Sequence, residues 1–330
     1  MSQPTRSDVH VNRPLTNISV AYIQRAQDFV ADKVFPIVPV MKQSDRYFVY
    51  TKDYWFRTRA AKRGPSTESA GGGFALNNTP SYFADVWAVH MDVDDQTRTN
   101  EDDPVNLDRD ATLFVTQQLL LRREIQFMQQ YMQAGIWQGY LVSGTATDFQ
   151  PNVNGKGYWD NSSSNPMSDI DFLKTQIKAQ TGFLPNALVV ANDVFFALRN
   201  NASVLDRIKY TQRGIVSEEL LAALFGVEKF LVASAVLNSA QEGQTFSGGF
   251  LVQNSFLLCY ANPAPSILQP SAGYIFSWQG LFGAGAQGNR IKTFRMEELE
   301  SDRIEGEMAF SMQQVSLDLG VYGKNVLQNP

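Results

Sequence analysis

The longest regular apolar spacing in the chain runs from Pro104 to Gly135, PVNLDRDATLFVTQQLLLRREIQFMQQYMQAG. Leu107, Ala111, Phe114, Leu121, Ile125, Met128 and Met132 recur at steps of three, four and seven, which lays one stripe along one helix face, broken only at Gln118. Asp102, Asp103, Asp108 and Asp110 crowd the start, Pro104 suits a first turn and Gly135 suits an end. The pattern predicts a helix over 104–134, a rod of roughly 45 Å at 1.5 Å per residue. An element of that length acts as a spine.

Before the spine the pattern is extended. Met1 to Leu15 is polar and aperiodic and reads as an arm without a core of its own. Thr16 or Asn17 then caps an amphipathic helix carrying Tyr22, Ile23, Ala26, Phe29 and Val30, which Pro36 and Pro39 terminate. YFVYTKDYWFRT (Tyr47 to Thr58) and SYFADVWAVHMDV (Ser81 to Val93) are rich in aromatic and β-branched residues and read as strands. Between them lies a polar insert with Gly64, Pro65 and the run Gly71, Gly72 and Gly73, the expected tip of a long two-stranded excursion. Such an excursion has no evident core in its own chain and is best understood lying on another molecule.

After the spine, residues 139–165 are rich in Gly, Asn, Ser and Asp and read as a connection. A helix capped by Ser168 or Asp169, a buried strand LPNALVVAN, a helix over Val194 to Arg199 capped by Asn192 or Asp193, and a helix EELLAALF between Ser217 and Gly226 follow. Val227 to Leu237 and Phe250 to Tyr260 read as strands around the Gly-rich loop of residues 239–249, so 168–269 forms a compact α+β unit. Tyr274 to Gln279, Asn289 to Met296 and Ile304 to Leu319 read as closing strands.

Composition narrows the function classes. With 330 residues, 44% hydrophobic and 18% charged, the chain can fill a sizeable core in one or two domains. It shows no signal-peptide pattern and no apolar run long enough to span a membrane. A net charge of −5 argues against broad attraction to phosphate backbones. The single cysteine, Cys259, sits in an apolar run, so no intrachain disulfide forms and a reducing compartment is expected.

The order of parts carries a resemblance. KDYWFRTRAAKRGP, then TPSYFADVWAVHMDVDDQTRTNEDDPVNLDRDAT, then the long helix resembles major capsid proteins of tailed bacteriophages with the Hong Kong 97-like fold. TGFLPNALVVANDVFFALRNNASVLDRIKY with LLAALFGVEKFLVASAVLN, and the closing RIEGEMAFSMQQVSLDLG, resemble the family's axial domain and its return through the peripheral domain. The resemblance implies an α+β fold with an N-terminal arm (1–45), an extended β-hairpin loop (46–100), a peripheral domain with the spine helix (101–167), an axial domain (168–275) and peripheral return strands (276–330). It further implies self-assembly into pentamers and hexamers of an icosahedral shell around a double-stranded DNA genome, without sequence-specific contacts, in a virion capsid built in the bacterial cytoplasm. The axial loop 239–249 is then a candidate contact around the symmetry axes. Some family members begin with a scaffolding segment where this chain has a short arm, so scaffolding is either a separate protein or unnecessary; a portal and decoration proteins are further implied partners. An encapsulin-like nanocompartment shares the fold and is the nearest alternative; a soluble metal-dependent or hydrolytic enzyme is the remoter one.

Within that reading Arg57, Arg59, Lys62 and Arg63 on the excursion are expected to face Asp92, Asp94, Asp95, Glu101, Asp102 and Asp103 of a neighbour, pairs that specify docking more than they add affinity. A family-type link between Lys62 and Asn325 has no specific signal, and Lys62 is first a solvated charge. Sharper chemistry fails on context. Gly283, Gly285 and Gly288 match G-x-G-x-x-G, but a strand-like NRIKTFRM follows where a pyrophosphate site needs a helix. The acidic run after Asp92 lacks the glycine of a calcium loop and has Gln96 at a ligand position. His10 and His90 are the only histidines, and no nucleophile motif accompanies His90 or Cys259. No catalytic residue, cofactor or metal is expected.

Overall fold

The computed structural model describes residues 24–50, 52–101, 105–209, 216–264, 269–281 and 288–330. His10, Asp102, Asp103, Pro104, Gly283, Gly285 and the expected helix cap near Thr16 lie outside them.

Two sheets carry the architecture. In the first, Ser301–Gln314 is the central strand. It pairs antiparallel with Asp85–Asp94 on one side, and with Asn289–Met296 and Gly273–Trp278 on the other. Ile37–Val40 adds in parallel beside Gly273–Trp278. The second sheet runs Lys229–Ala233, Ala187–Ala191, Ser255–Cys259, Gly320–Lys324. Ala187–Ala191 and Ser255–Cys259 are buried at every residue, which explains their unbroken apolar sequence. One continuous core joins the two sheets through the C-terminal half of the spine helix.

The spine helix spans Leu107–Tyr131. Asn106 caps it, its Oδ1 accepting the Arg109 N–H at 2.8 Å, and the helix stops three residues short of the expected end. Its buried side is also rotated from the expected stripe. Leu107, Ala111, Val115 and Leu119 form a row of step four over the first sheet, while Phe114 is 47% exposed and Leu121 and Ile125 are half-buried. Gly306 decides this. A Cβ at Gly306 would stand 2.3 Å from Val115 Cγ1, so the bare backbone of the central strand lets the helix settle on Val115 and Leu119.

Other expectations need correction. Tyr47 to Thr58 is not one strand: Val49–Tyr50 pairs with Leu76–Asn77, and Lys52–Trp55 turns helical. The helix expected over 22–30 is, in its described part, a 3₁₀ turn Ala26–Asp28 followed by a short helix Ala31–Val34. The helix assigned to cap at Ser168 or Asp169 spans Pro166–Thr181, capped by Asn165, because Asp169 is buried and accepts the Trp159 indole N–H at 2.9 Å. Ser217 and Gly226 do bound the helix Glu218–Phe225, with Gly226 at φ 57°. Within 276–330, expected as return strands and C-terminus, Gly320–Lys324 pairs with Ser255–Cys259 of the second sheet, and residue 275 falls inside the strand Gly273–Trp278. Among the described residues no helix is long and apolar enough to cross a membrane.

Candidate assembly interface

The excursion between Arg46 and Ser81 leaves the first sheet on two short antiparallel ladders, Ser44–Arg46 with Ser81–Phe83 and Val49–Tyr50 with Leu76–Asn77. Beyond these ladders its aromatic residues find little to bury them. Phe48, Trp55, Phe56 and Phe74 are 57%, 60%, 63% and 57% exposed, and the Trp55 and Phe74 ring centroids stand 5.7 Å apart. At its base Lys52 pairs with Asp318, and the Phe56 ring lies over Gly182. A row of large exposed aromatic groups on one protruding element is the surface signature of a contact with another molecule.

Arg57, Arg59, Lys62 and Arg63 are all exposed on this excursion. The Arg59 guanidinium lies 5.8 Å from the Tyr54 ring centroid, and Arg63 Nε donates to the Thr67 carbonyl at 2.5 Å. No carboxylate among the described residues pairs with any of the four.

Of the acidic residues expected to meet them, Asp92, Asp94, Asp95 and Glu101 are engaged within the chain. Asp92 takes a bidentate pair from Arg303 at 2.7 and 2.8 Å, and that bonding holds its carboxyl below the ordinary aspartate value. Asp94 caps the short helix Asp95–Thr99, accepting the Thr97 N–H at 2.7 Å. Asp95 takes a bidentate pair from Arg295 at 2.6 and 2.8 Å and is likewise held low. Arg98 joins Asp302 at 2.7 Å to Asp108 at 2.8 Å, tying the central strand to the first turn of the spine helix. Glu101 accepts the Leu107 N–H at 3.0 Å. These side chains stitch the edge of the first sheet to the spine helix, so Asp92, Asp94, Asp95 and Glu101 already have partners in their own chain. The exposed carboxylates of Glu297, Glu298 and Glu300, in the turn before the central strand, were not singled out by pattern and carry no ion pair among the described residues.

The loop after Val236–Asn238 folds as a hairpin, pairing with Gly248–Phe250. Asn238 Oδ1 accepts the N–H groups of Ala240 and Ser247 at 3.1 and 3.0 Å, which fixes the loop, and Phe246 is 69% exposed at its end. Among the described residues, His90 and Cys259 are not brought together. His90 lies on Asp85–Asp94 in the first sheet and Cys259 on Ser255–Cys259 in the second, where burial pushes the thiol up to about 12. Among the described residues no group of three His, Cys, Asp or Glu side chains is arranged to hold a metal.

Sequence pattern missed Glu124 and Gly306. Glu124 stands inside an apolar helical run, the one available signal, and its partners are backbone groups nearly a hundred positions away. Gly306 interrupts a strand-like run, as glycine does at close backbone approaches.

No family model matches the chain. It is 21% identical over 315 residues to the major capsid protein of Burkholderia phage BcepMu, covering 94% of each. Among solved structures it is similar to a phage-related protein of Bordetella bronchiseptica (TM-score 0.65, 19% identity, 92% of this chain and 94% of that one). It is also similar to the capsid protein of cyanophage P-SCSP1u (TM-score 0.58, 9% identity, 98% of each). The encapsulin of Synechococcus elongatus matches at TM-score 0.54 and 11% identity, over 100% of this chain and 98% of that one.

Proposed function

We propose that many copies of this chain, a phage major capsid protein with the Hong Kong 97-like fold, associate as pentamers and hexamers into an icosahedral shell that encloses double-stranded DNA. The observation that carries the reading is the excursion, which presents Phe48, Trp55, Phe56 and Phe74 without a core to receive them. A neighbouring copy supplies that core. The basic cluster Arg57, Arg59, Lys62 and Arg63 sets the register of docking, and the exposed Glu297, Glu298 and Glu300 offer it complementary charge. The 239–249 hairpin, with Phe246 at its end, meets its copies near a symmetry axis. The shell performs no catalysis, assembles in the bacterial cytoplasm, and takes a separate scaffolding protein, a portal and decoration proteins as partners.

The test is expression of the chain alone and with its scaffold, followed by sedimentation and negative-stain microscopy. Closed shells or ring-shaped capsomers are expected; a monomer that never assembles at high concentration with scaffold overturns the reading. The likeness to an encapsulin gives a second reading, a nanocompartment, and co-purifying protein cargo in place of DNA decides for it. Arg57→Glu with Arg59→Glu is expected to lower shell yield several-fold, with partial recovery on adding Glu297→Lys and Glu298→Lys. Undiminished yield in the first variant removes the basic cluster from the interface.

A further inference from the structure

The described chain enters its core through one short segment, residues 24–35, lodged between the spine helix and the second sheet. Phe29, Val30, Ala31, Val34 and Phe35 are buried, and the Phe35 ring packs on Phe127 and Tyr131 of the spine helix at 5.2 and 4.8 Å. On the other side Gln24 exchanges two hydrogen bonds with the Val236 backbone, at 2.7 and 3.0 Å, and Asp28 accepts the Ser234 hydroxyl at 3.0 Å. At mid-spine both oxygens of Glu124 accept the Val30 N–H at 3.0 Å, and Oε2 also accepts the Ala31 N–H at 3.0 Å.

Glu124 is 1% exposed, yet among the described residues no cation pairs with it. Its neighbour Arg123 bonds instead to Asp32 at 2.9 Å, so a like charge on the entry segment faces the buried carboxyl. The other charged and titratable groups around it are engaged elsewhere. Lys33 Nζ donates to the Gln27 carbonyl and Lys229 Nζ to the Lys33 carbonyl, each at 2.9 Å, and the Tyr131 hydroxyl donates to the Met312 carbonyl at 2.8 Å. A carboxyl that is buried, uncompensated and bonded to the segment it holds ties that hold to its own protonation.

We propose that Glu124 is a proton-operated clasp, which fixes residues 24–35 between the spine helix and the second sheet when protonated and loosens them when ionised. Burial pushes its carboxyl up to about 7, Asp32 adds to the rise, and the Val30 and Ala31 N–H groups and Arg123 oppose it. Once the segment lifts away, the carboxyl regains water and the ordinary value of 4.5. The clasped state therefore holds the proton more tightly. Clasping is firmest in acid, weakens as pH rises from about 4.5 to about 7, and is level above that. The clasp acts on residues 24–35 whether or not the chain sits in a shell.

Amide hydrogen exchange at Val30 and Ala31 in the full chain, corrected for intrinsic rates from pH 5.5 to 8, tests this. Protection in the unaltered protein is expected to fall about 30-fold across that range. Glu124→Gln, which cannot ionise, is expected to flatten the profile. Asp32→Asn leaves Glu124 in place, removes the facing charge and frees Arg123 towards it; the profile is expected to move to lower pH, an outcome that stands even if the glutamine variant does not fold. A level profile in the unaltered protein, a sloped one in Glu124→Gln, or an unmoved one in Asp32→Asn overturns the proposal.

Discussion

Between the second sheet and the helices that cover it, Trp159, Phe149 and Phe256 are fully buried, Trp159 and Phe256 stacked with centroids 4.9 Å apart. On the excursion Trp55, Phe56 and Phe74 are more than half exposed. The residue types are the same and their fates are opposite. An aromatic ring carries a large burial free energy wherever it stands, so the interior spends it within the chain and the excursion leaves it unrealised there. In the proposed reading this exposure is unfinished packing that a second copy completes.

The comparison breaks most sharply from the inside. Trp159→Ala removes a fully buried ring and leaves the Asp169 carboxyl with Lys156, at 3.2 Å, in place of two partners, and is expected to lower unfolding free energy by about 3–5 kcal/mol, read from urea midpoints of the unassembled chain. Gly306→Val forces a branched side chain against Val115 and Leu119 and is expected to cost about 1–3 kcal/mol, or to shift the spine helix. Asp92→Asn leaves Arg303 half-satisfied on a partly wet sheet face and is expected to cost about 1 kcal/mol at pH 7. Because Arg303 depresses the Asp92 carboxyl, its contribution is full above the ordinary aspartate value of 3.8 and fades as pH falls through the lowered one; the gap between Asp92→Asn and the unaltered chain should close in strong acid.

The smallest stability change belongs to the excursion. Trp55→Ser with Phe74→Ser is expected to move the monomer midpoint by no more than about 0.5 kcal/mol, because both rings are already wet. The same pair is expected to abolish or strongly reduce closed shells in sedimentation. A monomer destabilised as much as by Trp159→Ala would show that the excursion packs on its own chain after all, and would erase the contrast.

The two halves of the spine helix repeat the lesson within one element. Towards its C-terminus Glu124, Phe127, Met128, Tyr131 and Met132 are buried by the entry segment, the first sheet and the core. Towards its N-terminus only the row Leu107, Ala111, Val115 and Leu119 is covered, and Leu113 and Phe114 are 44% and 47% exposed. Periodicity placed Phe114, Leu121 and Ile125 on the buried face because it counts apolar residues and not neighbours. The true row was fixed by a glycine on a strand nearly two hundred residues later.

What the sequence by itself determined was local: a long helix within 104–134, the helix between Ser217 and Gly226, strands within LPNALVVAN and within 250–260, and a polar, glycine-rich excursion with aromatic shoulders. Caps, period and turn residues act over a few positions, so their signals survive in one dimension. The order of those parts was enough to suggest the capsid fold. Tertiary structure alone decided which face of the spine is buried, that Asp92 and Asp95 bind arginines of their own chain, that Gly320–Lys324 closes the second sheet, and that a glutamate at mid-spine grips residues 30 and 31. Those facts depend on which distant residue arrives alongside, and the free energy of a buried side chain is set by that neighbour rather than by its own place in the chain.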